Sequence, residues 1–75
     1  MKIPVTFEHK GKTYSGFLSE VFGAGDVNVW HLMVDNYYFG RLRLSNDKWF
    51  FDSNAFPEMS ELADYFGQYV TLWYE

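Results

Sequence analysis

The chain has two histidines, His9 and His31, the side chains best suited to metal binding and to proton transfer near neutral pH. A metal site on one strand or helix face needs further ligands at a fixed spacing, and no second histidine lies two or four residues from either one. The absence of cysteine removes thiolate ligands and nucleophiles as well. We therefore expect no metal site and no cofactor, and an ordinary surface or sheet position for each histidine.

The remaining polar residues are not arranged for nucleophilic or acid–base catalysis. No serine lies in the Gly-x-Ser-x-Gly context of a nucleophile elbow. Asp47 and Asp52 flank a predicted strand, and Glu58 and Glu61 belong to the solvated face of a predicted helix. The Gly-Ala-Gly sequence at 23–25 lacks the third glycine and the Lys-Ser/Thr pair of a phosphate-binding loop. We expect the protein not to be an enzyme.

Arg41 and Arg43 suggest a binding role, because aromatic residues surround them in the sequence. Guanidinium groups beside aromatic rings are typical of protein interfaces and of surfaces on which nucleic-acid bases stack. Whether these groups share one face depends on the elements that position them.

Length and composition limit those elements to a single small domain. Its 75 residues are 23% aromatic, which provides the dense core that so short a chain requires. A net charge of −4 and a pI near 4.9 disfavour a protein that neutralises phosphates over a broad surface. Because the sequence has no signal-like N-terminus and no run of ~18 apolar residues, we expect a cytoplasmic protein with no membrane association.

The pattern predicts an α+β fold, an antiparallel five-stranded β meander with one C-terminal α-helix packed on its concave face. We expect the strands at about residues 3–9, 12–21, 27–34, 37–44 and 48–52, and the helix at about residues 57–74. A two-residue turn at Lys10-Gly11 closes the first hairpin. In the register that puts the apolar residues on one face, His9 pairs with Lys12, Phe7 with Tyr14, Val5 with Gly16 and Ile3 with Leu18.

The second hairpin, between the third and fourth strands, has two possible turns. A two-residue turn at Asp35-Asn36 needs a β-bulge at Gly40 to keep Leu42 and Leu44 on the core face, and it places Phe39 inside. A three-residue turn ending at Tyr37 also aligns the two leucines, with Tyr38 inside instead.

A third hairpin follows, in which Leu44 pairs with Trp49 across residues 45–48. This register sets Arg41 opposite Asp52 and Arg43 opposite Phe50 on the outer face, and it predicts an ion pair and a cation–π contact respectively.

The spacing of apolar residues predicts a helix in the last quarter of the chain. Its apolar positions recur at helical spacing and run across Gly67 without a break: Met59, Leu62, Ala63, Phe66, Val70 and Trp73. We expect Phe66 and Trp73 to be buried against Trp30, Leu32 and Trp49. The alternative ends the helix at Gly67 and makes residues 69–74 a sixth strand.

This arrangement leaves one face of the sheet without a covering helix. The candidate partner-binding residues on it are His31, Met33, Tyr38, Arg41, Arg43 and Phe50. Val29 also falls on this face, and Phe17 and Val21 point away from the core. We expect a small interaction domain that self-associates as a homodimer or binds a protein partner. The alternative is a module that binds single-stranded nucleic acid or carbohydrate through the same face, with nucleic acid disfavoured by the acidic charge.

Two stretches carry a resemblance to a set of short uncharacterised bacterial proteins of similar length. These are Val29 to Leu42, VWHLMVDNYYFGRL, and Glu61 to Tyr74, ELADYFGQYVTLWY. The resemblance implies a self-contained domain and carries over no catalytic or binding residue.

Overall fold

The computed structural model describes residues 2–21 and 28–74, which form five strands, a 3₁₀ segment and one α-helix. The strands are β1 (Lys2–His9), β2 (Lys12–Glu20), β3 (Val29–Val34), β4 (Tyr37–Ser45) and β5 (Lys48–Asp52). The 3₁₀ segment Pro57–Leu62 leads directly into α1 (Ala63–Trp73). The strands lie in sequence order and pair antiparallel in a sheet that curls into a half-barrel, with the helix packed against it. The predicted α+β meander is confirmed.

The first hairpin has the predicted register throughout. His9 pairs with Lys12, and the core-face pairs follow as expected as far as Ile3 with Leu18. Lys10 and Gly11 both have a positive φ, 53° and 74°, which gives the turn whose twist matches that of the flanking strands. The Gly-Ala-Gly sequence and the expected first residue of the third strand, Val27, lie outside the described residues.

The second hairpin has the two-residue turn, so the longer turn was wrong. Asp35 and Asn36 have positive φ angles of 51° and 69°, and the pairing shifts between Leu32 and Met33. Leu32 pairs with Gly40 while Met33 pairs with Tyr38, so Phe39 is the extra residue of the bulge. Phe39 packs against the core and Tyr38 is exposed.

Gly40 is required at this bulge because strand β5 lies very close. A Cβ atom on Gly40 would lie 2.5 Å from the Phe51 ring and 2.7 Å from the Asp52 carbonyl oxygen.

The third hairpin keeps the predicted pairing of Leu44 with Trp49, closed by a two-residue turn at Asn46-Asp47 with φ angles of 52° and 64°.

The C-terminal segment is helical across Gly67, and the sixth strand was wrong. Gly67 is buried against Trp49, because a Cβ atom there would lie 2.5 Å from atoms of the indole ring. Because glycine has no side chain, the helix can lie directly on this ring.

No helix among the described residues is long and apolar enough to cross a membrane.

The core lies between the helix and the concave face of the sheet. Phe66 is fully buried, with its ring centroid 5.3 Å from that of Phe7 and 5.0 Å from that of Phe51. The other buried members of the cluster are Ile3, Val5, Leu18, Trp30, Leu32, Val34, Leu42, Met59, Ala63 and Val70.

The expectation that Trp73 is buried was wrong, since 48% of this residue is exposed. At about 100° per residue, Trp73 lies roughly 120° around the helix from Gly67, the residue that touches Trp49. The apolar stripe of the helix therefore turns away from the sheet at its last member. Val29 departs from expectation in the opposite sense: it pairs with outward-facing Arg43, yet it is buried.

Candidate functional site

The register brings all six predicted partner-binding residues onto the outer face of the sheet. One row across the strands holds Phe17, Met33 and Tyr38, which are paired in succession from β2 to β4. A second row runs through Ser19, His31, Arg41 and Asp52, and a third through Val29, Arg43 and Phe50. We call the outer patch the set Phe17, His31, Met33, Tyr38, Arg41, Arg43 and Phe50.

Three rings of the outer patch are largely open to solvent. Phe17 is 47% exposed, Tyr38 is 51% exposed and Phe50 is 40% exposed. Tyr38 meets the His31 ring edge to face at 4.9 Å between centroids, so the two rings support each other. These large rings contact neighbours on the sheet and yet keep much of their surface free.

Cations lie above two of these rings. The Arg43 guanidinium is 4.9 Å from the centroid of Phe50, as predicted, and the Lys2 ammonium is 5.7 Å from the centroid of Phe17. Such contacts contribute about 0.5–1 kcal/mol at exposed sites.

The predicted ion pair has a different cation. Arg41 pairs with Asp52 along the backbone, but the Asp52 carboxylate accepts from Arg43 Nε at 3.3 Å. Asp52 therefore binds its diagonal neighbour, which long side chains can reach in an antiparallel pair. Within the described residues Arg41 makes no ion pair.

His9 has a partner that sequence spacing did not reveal. Its Nε2 lies 2.7 Å from Glu58 Oε2, and its ring meets Phe56 edge to face at 5.2 Å. A backbone hydrogen bond, followed by the hydrogen bond with His9, lowers the pKa of Glu58 below its usual value of 4.5. No group of three histidine, cysteine or acidic residues that could hold a metal occurs in the described part of the chain.

Tyr65 and Tyr69 of the helix close the open edge of β1, which also was not predicted. The Tyr65 hydroxyl donates to the Thr6 carbonyl oxygen. The Tyr69 hydroxyl accepts from the Thr6 amide at 3.4 Å, and its one proton lies between the Thr6 carbonyl oxygen at 2.9 Å and the Tyr65 hydroxyl at 3.1 Å. The hydrogen bond between the two hydroxyls raises the pKa of Tyr65 above its usual range. The tyrosines therefore occupy backbone groups that an edge strand otherwise offers to another chain.

A groove beside Trp49 is the third feature that the sequence did not signal. One part, of about 450 Å³, is lined by Trp49, Asp64, Gln68, Thr71 and Leu72. A second part, of about 290 Å³, shares Trp49 and Thr71 and is also lined by Glu20, Asn28, Trp30, Leu44, Val70 and Tyr74. We call these two parts together the Trp49 groove. Its residues come from four separated stretches, so no local spacing could have predicted it.

A smaller groove of about 270 Å³ lies on the outer face, next to the outer patch. Its lining includes Lys2, Phe17, Met33 and Asp35. His31 lines neither this groove nor the Trp49 groove.

Comparison with known proteins gives no family for this chain. No protein-family model matches it, and searches of the curated proteins and of the solved structures found no similar chain. Function must therefore be argued from the surfaces described above.

Proposed function

We propose that this protein is a small non-catalytic interaction domain that forms a homodimer through the outer patch. The observation that carries the proposal is the row Phe17, Met33 and Tyr38 on adjacent strands, with Phe50 two rows away on the same face. Phe17, Tyr38 and Phe50 are each at least 40% exposed. Contiguous exposed apolar surface of this kind, enriched in Tyr, Phe, Met and Arg, marks protein interaction sites.

The shape of the face supports a second copy as the occupant. The outer face is convex because the sheet curls around the helix, so two copies meet over the middle strands and not over the whole sheet. The groove lined by Lys2, Phe17, Met33 and Asp35 lies beside the exposed Tyr38. In a two-fold arrangement the Tyr38 ring of each copy enters this groove on the other, which provides the complementarity that a convex face otherwise lacks.

The area predicts a small interface, and the charges are compatible with it. Five strands about 4.8 Å apart, each roughly 20–30 Å long, give a whole face on the order of 500 Å² in projection, so contact over the middle strands alone buries less than most specific interfaces do. The face carries both signs of charge: Lys2 and Arg41 are positive, and Asp35 and Asp52 are negative. A two-fold related copy can therefore pair opposite charges without placing like charges together.

Sedimentation velocity tests the proposal. We expect a dimer at micromolar concentration in both about 50 mM and about 500 mM salt, because burial of apolar area depends little on salt. Phe50→Glu and Met33→Glu should each shift the protein to monomer, since they place a carboxylate in the interface. Leu72→Glu is the matched control, because Leu72 is 67% exposed on the helix and lies outside the outer patch. A wild-type monomer at all concentrations would overturn the proposal.

A second candidate is binding of single-stranded nucleic acid by the same face. The pairs Lys2–Phe17 and Arg43–Phe50 favour it, because each sets a cation beside a ring on which a base could stack. The net charge of −4 weakens it. Binding of a phosphate backbone releases counterions, so an oligonucleotide complex should weaken steeply between the two salt conditions. A monomer that binds single-stranded oligonucleotides only at low salt would favour this candidate over the dimer.

A further inference from the structure

A continuous row of polar side chains crosses the outer face, between two rows that carry aromatic rings. Backbone pairing links Lys2 to Ser19, Ser19 to His31 and His31 to Arg41, on the four adjacent strands β1 to β4. Side chains directly opposite each other in an antiparallel sheet lie about 4.5–5.5 Å apart at Cβ, so these four form one surface. We call Lys2, Ser19, His31 and Arg41 the basic row.

The donors at the centre of the basic row are free of partners within the described protein. Ser19, His31 and Arg41 make no side-chain hydrogen bond or ion pair with any described residue. Arg41 is exposed, and Ser19 and His31 are half-buried. A hydroxyl, an imidazole N–H and a guanidinium are therefore available to one ligand.

The charge of this region favours an anion. Four of the six lysine and arginine residues lie on the outer face, namely Lys2, Arg41, Arg43 and Lys48. Asp52, the acid opposite Arg41, is bound by Arg43 at 3.3 Å and so is already paired. A negatively charged ligand at the basic row therefore meets cations whose charge is not otherwise neutralised.

The shape of the row leaves a place for that anion above Ser19. Serine is the shortest side chain of the four, and it lies between the longer side chains of Lys2 and His31. Strands are about 4.8 Å apart, so Lys2 and His31 are separated by roughly 10 Å, which a phosphate group and its hydrogen bonds can fill. Lys2 and Ser19 also line the outer-face groove of about 270 Å³.

The number of donors favours a phosphate monoester over other anions. Such a group has three free acceptor oxygens, which match an ammonium, a hydroxyl and an imidazole N–H, with the guanidinium of Arg41 able to hold two oxygens at once. A carboxylate has two oxygens, which Arg41 alone would occupy. A phosphodiester within a nucleic-acid strand also has only two free oxygens.

The neighbouring row provides a surface for the group that the phosphate carries. Phe17 shares the groove with Lys2 and Ser19, and Tyr38 touches His31 edge to face. Both rings are about half exposed, with Met33 paired between them. Nucleobases stack on exposed rings of this kind. We propose that the basic row binds the phosphate of a mononucleotide, whose base packs on the row of Phe17, Met33 and Tyr38.

This inference does not rest on the homodimer, because each chain carries the whole basic row. A nucleotide would nevertheless cover surface that the proposed dimer buries, so the two would compete. Binding is therefore measured on protein dilute enough to be monomeric by sedimentation velocity. The result then does not depend on whether the dimer forms at higher concentration.

The two histidines give an internal comparison in ¹H–¹³C correlation spectra of their rings. Titration with adenosine 5′-monophosphate at constant pH and ionic strength should shift the His31 signal, with a dissociation constant on the order of 1 mM. The signal of His9, which lies against Glu58 away from the basic row, should not move. Adenosine and the dinucleotide adenylyl-3′,5′-adenosine, which lack a phosphate monoester, should each bind at least about tenfold more weakly.

Variants of exposed residues test the position of the site. Arg41→Gln should weaken binding of adenosine 5′-monophosphate at least about tenfold, and Ser19→Val should do the same by filling the gap without changing the charge. Lys48→Gln is the matched control, because it removes the same charge from the same face. Lys48 and Asp52 are the two ends of β5, so Lys48 is about 13 Å from the basic row, beyond the Debye length of about 10 Å at 0.1 M salt.

Three results would overturn the proposal. The first is that adenosine 5′-monophosphate leaves His31 unshifted or shifts His9 equally. The second is that adenosine or the dinucleotide binds as tightly as the monophosphate, because the monoester would then not be recognised. The third is that Arg41→Gln loses no more affinity than Lys48→Gln, because only the general charge of the face would then matter.

Discussion

The two faces of this sheet carry similar aromatic residues, which are buried on the inner face and exposed to solvent on the outer face. Phe7 and Phe51 on the inner face are buried under Phe66 of the helix, with ring centroids 5.0–5.3 Å from it. Phe17 and Phe50 on the outer face belong to the same sheet and remain 47% and 40% exposed. The difference arises from the single helix, which is long enough to cover one face of a curled sheet and no more.

This difference separates stability from recognition within one small domain. Each buried ring removes about 150–250 Å² from water, so the inner rings supply much of the free energy of folding. The outer rings gain only a cation above them and a neighbour beside them, and they stabilise the monomer little. Their remaining apolar surface is what the proposed homodimer would bury, whereas the inner rings have none left.

The largest expected difference between the faces is in the free energy of unfolding. Phe66→Ala should lower it by about 3–5 kcal/mol, because the ring is fully buried and the cavity cannot collapse among other rings. Phe50→Ala, the matched change on the outer face, should lower it by about 1 kcal/mol or less. Urea denaturation of both variants, performed on monomeric protein at low concentration, measures the contrast. Equal losses would show that the helix does not divide the sheet in this way.

Most of the fold could be predicted because it depends on local patterns. The alternation of Ile3, Val5 and Phe7 selects the face, and the two-residue turn at Lys10-Gly11 then fixes the register with β2 that keeps the apolar residues together. The need for a bulge next to Gly40 follows from the same requirement, applied to Leu42, although the extra residue is Phe39 and not Gly40 itself. Each of these features depends on residues that are near in sequence or joined by a short turn.

The helix packing could be predicted only in part, because the apolar period gives the buried stripe but not where the sheet ends. Phe66 is buried, as expected, with its ring against Phe7 and Phe51, while Trp73 extends past the contact and is exposed. The close approach of the helix to Trp49 at Gly67 could not be predicted, since a glycine at this position is equally typical of a helix end.

A methyl group at Gly67 tests that close approach. In Gly67→Ala the new Cβ would lie 2.5 Å from the Trp49 ring, so the helix or the ring must move, at a cost of about 1–3 kcal/mol. The higher helix propensity of alanine offsets about 1 kcal/mol of this, and a net destabilisation of about 0–2 kcal/mol remains. Thermal or urea unfolding measures it, with Gln68→Ala as the exposed control on the same helix. A stabilised Gly67→Ala variant would mean that the helix lies farther from Trp49.

The candidate site was predictable to the extent that it depends on the sheet. Alternation and register placed His31, Met33, Tyr38, Arg41, Arg43 and Phe50 on one face, and the strand pairing has them there. The pair His9–Glu58 and the Trp49 groove join segments far apart in the chain, so only the packing of the helix creates them. The partner of Asp52 depends on side-chain conformation, which strand pairing does not determine.

The smallest expected effect concerns the charges of the outer face. It tests whether Asp52 interacts with its diagonal neighbour Arg43 or with Arg41, which lies directly opposite. Double-mutant cycles on Arg43 with Asp52 should give a coupling of about 0.2–1 kcal/mol, because the 3.3 Å contact is exposed to water. Added salt should reduce it, since the Debye length falls from about 10 Å at 0.1 M to about 3 Å at 1 M. The same cycle on Arg41 with Asp52 is the control, with an expected coupling near zero. If the coupling instead appears with Arg41, the carboxylate bridges straight across the two strands, and Arg43 is held by the Phe50 ring alone.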